Sequence, residues 1–250
     1  MEEELQIKIF DDIGGWGFTF DSLVRQLRGI KGASKVVVPI NSYGGFVTEG
    51  MAIYNTLRGR AESIETRVVG YAMSMGSVIA MAGDVVKIPE NGYLMIHNPW
   101  SMAAGDVDDF QNEANTLNML TKDLASVYVR KTGLDEKVVL DMMKRETWMN
   151  GVEAVELGFA DEVTDGAEFR ASFNKEWLDK LVNVPTALLG NNKKTTIVMD
   201  FKKLKNQLGK IQNGIAGFLN EVEEDDVNLE ESEDELTVIV TGKQIGRAHV

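Results

Sequence analysis

Along the first two thirds of the chain, short runs of β-branched and apolar residues alternate with longer stretches in which apolar positions recur every three or four residues. The first pattern suits strands and the second amphipathic helices. Strands are predicted over residues 6–10, 35–40, 64–69, 85–88 and 94–96. Helices are predicted over 19–28, 47–58, a stretch starting at Ser74, and a long one over 108–131. For the last, Asp106 or Asp108 supplies an N-cap and Gly133 a C-terminal stop. Strand and helix in alternation predict an α/β fold.

After Asp165 the pattern changes. A short helix-like piece covers 177–181, and Gly190-Asn191-Asn192-Lys193-Lys194 reads as a linker. Residues 201–219 mix lysine with apolar positions at roughly helical spacing, and 221–235 is an acidic run that reads as a solvated tail. The chain is therefore divided into a body over 1–166, a helical extension over 167–189, and a linker with a Lys-rich and acidic tail over 190–250. Ile245-Gly246-Arg247-Ala248-His249-Val250 matches the translation of a common sequencing adapter, so His249 is set aside as an artefact.

Composition narrows the class. With 44% hydrophobic and 26% charged residues in 250, and no apolar run long enough to span a bilayer, a soluble globular protein is expected, with no membrane partner. The acidic start, Met1-Glu2-Glu3-Glu4, lacks the pattern of a secretory signal, which points to the cytoplasm. The absence of cysteine rules out disulfides, thiolate catalysis and Cys-based zinc sites. A formal charge of −13 argues against nucleic acid as a partner.

With His249 set aside, His97 is the one histidine left, at the end of the apolar strand Tyr93-Leu94-Met95-Ile96. A lone histidine there is either structural or a general base. Its partner is suggested by Gly70-Tyr71-Ala72-Met73-Ser74-Met75-Gly76-Ser77, a strand that runs through small residues into an apolar helix. A serine at such a junction sits at the positive end of the helix dipole, beside free backbone N–H groups. Equally, Ser74 or Ser77 can be an ordinary N-cap. A third segment, Ile40-Asn41-Ser42-Tyr43-Gly44-Gly45, ends a strand in paired glycines, which permit a close backbone approach or simply a tight turn. No phosphate-loop or dinucleotide fingerprint occurs. The methionines at 51, 73, 75, 81 and 95 read as packing, and Asp106, Asp108 and Asp109 as capping. No metal or cofactor is assigned.

Taken in order, these segments resemble the ClpP family of serine peptidases, with its Asn-Ser-Pro-Gly-Gly, Ala-Ser-Met-Gly and Met-Ile-His-Gln-Pro motifs. Here they stand at Asn41 to Gly45, Met73 to Gly76 and Met95 to Pro99. Residues 153–161 look like the family's Glu-Ala-x-x-x-Gly-Leu-x-Asp signature. The resemblance implies a ClpP/crotonase-like α/β fold, with stacked β-sheets, surrounding helices and a long protruding helix. It also implies that Ser74 is the nucleophile, His97 the general base, and the backbone N–H groups of Gly45 and Met75 the oxyanion hole. Glu146 matches the family's aspartate as third triad member, or is a surface carboxylate beside Lys144 and Arg145. Ser77 falls outside the motif.

The resemblance further implies self-association into a ring-like homo-oligomer, the long helix looking like the element that joins two rings. Tyr43 replaces the motif's proline, which loosens the turn but keeps its N–H donors. The chain starts almost at the first core strand, so partnership with an unfoldase ATPase is not expected. Glu146-Thr147-Trp148, Asn98-Pro99-Trp100 and the added C-terminal segment are more similar to ClpP-like proteases of tailed-phage head-assembly modules, which implies cleavage of scaffold or capsid precursors. The tail then reads as a capsid-docking or scaffold segment, or as disordered linker. Two other classes share the fold: a crotonase-like acyl-CoA enzyme and an assembly protein that keeps the motifs without turnover.

Overall fold

In the computed structural model, which describes residues 5–29, 33–165 and 183–185 and two short strands at 228–229 and 238–239, the β-branched runs lie side by side in one sheet. Its centre is β2 (Lys35–Ser42) against β3 (Ser63–Met73), both buried over most of their length. Burial on both faces is why Val36 to Ile40 in β2 is an unbroken apolar run instead of alternating. β1 (Leu5–Gln6), β4 (Val85–Pro89) and β7 (Glu162–Thr164) extend the sheet in the order β1-β2-β3-β4-β7, all parallel.

β3 has 11 residues, enough to serve two neighbours on one edge. Residues 65–67 pair with β4, whereas 71–73 pair with β5 (Tyr93–Ile96). β5 pairs in turn, antiparallel, with β6 (Thr147–Asn150). The seven strands make a sheet that forks at β3, in keeping with the expected α/β fold.

The first strand ends earlier than predicted. Ile7 N donates to Val37 O, and the next bond in the ladder would come from residue 39, which is proline and has no N–H. Pairing resumes at Ile9, which donates to Pro39 O and accepts from Asn41 N.

α1 (Phe20–Leu27) starts at Thr19, whose side chain accepts from Ser22 N. α2 (Val47–Arg58) and α3 (Met75–Ala80) cover the sheet. α4 (Val107–Thr132) begins at Asp106 in a capping box with Asp109 and ends at Gly133 in the left-handed conformation, φ 71°. Its first three turns are exposed, while Leu124, Ala125, Val127 and Tyr128 anchor the far end in the core. α5 (Glu136–Lys144) and α6 (Gly151–Glu156) complete the body. α5 escapes a reading by periodicity because its buried positions, Val139, Met142 and Met143, span barely one turn of a charged segment.

The main apolar core lies on one face of the sheet, where Ala72, Leu94, Ile96 and Met149 meet the helices. Alternate residues point to the opposite face, where Tyr71, Met73, Met95 and Trp148 form a smaller cluster against which Tyr43, Tyr93 and Val184 pack. Among the described residues no helix is long and apolar enough to cross a membrane. The chain divides into Met1–Thr196 and Ile197–Val250. In the second unit β8 (Asn228–Leu229) pairs antiparallel with β9 (Val238–Ile239). The predicted helical piece at 177–181, the linker at 190–194 and the helical spacing over 201–219 lie outside the described residues.

Candidate active site

Ser74 stands where β3 hands over to α3, in the N-cap position. It does not act as an N-cap: its side chain makes no capping bond, and its backbone has φ 51° and ψ −123°. Among the described residues only Ser74 and Glu146 combine a side chain with positive φ. Such conformations cost about 1–3 kcal/mol each and persist where the surroundings impose them. At Ser74 the restraint comes from both sides. Ser74 N donates to Met95 O at 2.8 Å, and Ser74 O accepts from Ser77 N at 3.0 Å and Val78 N at 3.2 Å. The tight turn throws the hydroxyl out of the helix start.

There it meets His97, carried just past the end of β5, the strand that pairs with the last residues of β3. His97 Nε2 lies 2.9 Å from Ser74 Oγ, and both residues remain partly exposed. For Nε2 to accept the hydroxyl proton, the ring proton must sit on Nδ1. Burial pushes the His97 pKa below the ordinary 6.5, and the charge of Glu146 opposes that shift. The imidazole is therefore neutral at pH 7, the state a general base needs.

Glu146 occupies the turn between α5 and β6 with φ 52° and is only 9% exposed. Its Oε1 accepts from Trp148 Nε1 at 3.1 Å and from the Asn183 backbone N–H at 3.0 Å. The carboxylate acts on His97 through its charge.

The paired glycines close the third side. Gly44 and Gly45 have φ of 99° and 148°, and Gly44 N donates to Ser42 Oγ at 3.1 Å, a local bond that fixes the turn where the motif's proline is missing. A Cβ on Gly44 would lie 2.6 Å from Ser74 Cβ and 2.8 Å from Met75 N, so these two backbone segments touch. Ile13 N donates to Gly44 O and Phe46 N to Ile13 O. Those bonds leave the Gly45 amide without a backbone acceptor among the described residues, and the Met75 amide, in the first turn of α3, likewise has none.

A Cβ on Gly45 would overlap the Ile13 carbonyl oxygen. Gly45→Ala is therefore expected to lower the melting temperature and, by displacing the Gly45 N–H from the place proposed below for an oxyanion donor, to cut the acylation rate by about 10²-fold. Calorimetry and a single-turnover rate on the same preparation check both parts.

Sequence reasoning brought Ser74, His97, Gly45, Met75 and Glu146 to attention, and all five belong to this one neighbourhood. It missed Ser42, Trp148 and Asn183, which shape or hold the groups around it. Among the described residues no cluster of His, Cys, Asp and Glu is suited to a metal.

The fold and the site define an α/β protein in which a strained serine at a strand-to-helix junction is hydrogen-bonded to a histidine. The chain belongs to the Clp protease family, whose model matches residues 20–167, and Ser74, His97, Glu146, Gly44 and Gly45 all lie within that match.

Proposed function

We propose that the protein is a serine endopeptidase in which Ser74 is the nucleophile, His97 the general base and Glu146 the group that orients and stabilises the imidazolium. The observation that carries this reading is the 2.9 Å bond between Ser74 Oγ and His97 Nε2 at a strained strand-to-helix turn. Ser74 Oγ attacks the scissile carbonyl as its proton passes to His97 Nε2. The oxygen that becomes negative faces the Gly45 and Met75 N–H groups. His97 then returns the proton to the departing amine, leaving an acyl group on Ser74. Water then gives a proton to His97 as its oxygen adds to the acyl carbonyl, and the acid leaves as His97 returns the proton to Ser74 Oγ.

The protein is further proposed to work as a ring-forming homo-oligomer, in keeping with its family. Scaffold or capsid precursor proteins are its proposed substrates, in the cytoplasm of a phage-infected bacterium. That part rests on the Asn98-Pro99-Trp100 and Glu146-Thr147-Trp148 segments, which are similar to phage head-maturation proteases.

A fluorophosphonate probe tests the chemistry. The expected result is one covalent adduct per chain, located by mass spectrometry on the peptide containing Ser74 and absent when the protein is acid-denatured first. An assembled protein that takes no adduct would make the catalytic reading wrong and favour a non-catalytic assembly role.

A further inference from the structure

Ser77 lies outside the motif that points to Ser74, yet it is fully buried and its hydroxyl touches two groups. A serine hydroxyl has one proton. Ser77 Oγ lies 2.6 Å from the Ser74 carbonyl oxygen, which can only accept, so that proton goes there. The Tyr128 hydroxyl, 2.8 Å from Ser77 Oγ, must then donate its own proton to Ser77. Tyr128 sits in the anchored end of α4, and burial raises its pKa, which keeps the phenol protonated. The result is a directed chain from Tyr128 Oη–H through Ser77 Oγ–H to Ser74 O.

The Ser74 carbonyl and the Met75 N–H are two ends of one planar peptide group. Donors drawn to the oxygen shift electron density toward it and leave the N–H at the other end more positive. A chain of hydrogen bonds in a dry interior strengthens this polarisation. The same donors hold the plane of a peptide whose preceding dihedrals, φ 51° and ψ −123°, are costly.

We propose that Ser77 and Tyr128 are positioning residues for the oxyanion site: acting through the Ser74 carbonyl, they aim the Met75 N–H and strengthen it as a donor. The inference rests on the peptidase reading above, in which that N–H meets the oxyanion. Ser77 acts directly on the peptide and Tyr128 only through Ser77.

The test uses the full-length oligomer with S77A, Y128F and the double variant. S77A removes the third donor to the carbonyl, whereas Y128F removes one oxygen and leaves the ring packed against Phe159, their centroids 5.7 Å apart. S77A is expected to lower kcat by about 10-fold at unchanged KM, a fraction of the loss seen when an oxyanion donor is deleted outright. It is expected to weaken a peptide aldehyde inhibitor, whose adduct oxygen occupies the same place, by a similar factor. Y128F should lower kcat by a smaller factor of about 3, and the double variant should match S77A, because the two changes act along one path. A purely structural role would lower melting temperatures additively and leave kcat of the folded protein and aldehyde affinity unchanged, and that result overturns the proposal. The amide proton resonance of Met75 gives a readout without turnover and should move upfield in S77A. If the wild type takes no probe but the resonance moves, the peptidase reading fails and the polarised peptide stands. A resonance that does not move overturns the inference whatever the activity.

Discussion

Replacing Ser74 by alanine is expected to lower peptide hydrolysis by about 10⁴-fold or more, and replacing His97 by alanine by a similar factor. In the proposed mechanism a single proton transfer links Ser74 Oγ and His97 Nε2, which lie 2.9 Å apart, so either substitution removes the same step. The double variant is therefore expected to be no slower than the slower single variant. What activity remains comes from substrate binding and from the Gly45 and Met75 amides, which neither change removes. Rates on a fluorogenic peptide for both single variants and the double variant check this. S126A is a suitable control, since among the described residues its exposed hydroxyl bonds only Asp123 O in its own helix. Losses that multiply in the double variant would mean that the two residues act independently, contrary to the proposed mechanism.

Glu146→Gln is expected to slow hydrolysis by about 10⁴-fold, the size of loss found when the third member of a serine triad is changed. The pH dependence makes this prediction sharper. A general base works when neutral, so the rate falls as pH drops through the His97 pKa. Burial holds that pKa below the ordinary 6.5, and the Glu146 charge pulls it back up. Removing the charge takes away the upward pull, so the acid limb of kcat/KM should move to still lower pH even as the plateau falls. The glutamine variant should keep the fold, because its amide oxygen still accepts from Trp148 Nε1 and the Asn183 amide. Glu146→Ala leaves both donors unmet and should also cost about 1–3 kcal/mol of stability. Full pH profiles of wild type and E146Q decide the matter. A limb that stays in place, with a rate close to that of wild type, would leave Glu146 a purely structural carboxylate.

Much of the body was legible because its signals are local. A β-branched run such as Val36-Val37-Val38 has few alternatives to a buried strand, and Asp106 with Gly133 marks both ends of α4 at cap level. Ser74, His97 and the glycine pair were legible as motifs. The geometry that joins them was not, because it depends on non-local pairing: β5 must lie beside the last three residues of β3 before His97 can face Ser74. The same limit explains Trp148 and Asn183, whose bonds to Glu146 follow from where the chain returns. Ser77 and Tyr128 are 51 positions apart, and nothing in either segment announces the other. Ser74 also shows how one position can support two readings, since the N-cap site is real but the backbone there is turned away from capping.

The fork at β3 has a consequence for how the protein breathes. β3 has neighbours on both edges, with β2 on one side and β4 and then β5 on the other. Local unfolding begins where elements are short and singly supported, such as the two-residue β1 or the three-residue β7. Fraying at either margin leaves the central strand zipped. Ser74 therefore rides at the tip of the segment that opens last, and its surroundings can outlast excursions that loosen the rim of the sheet.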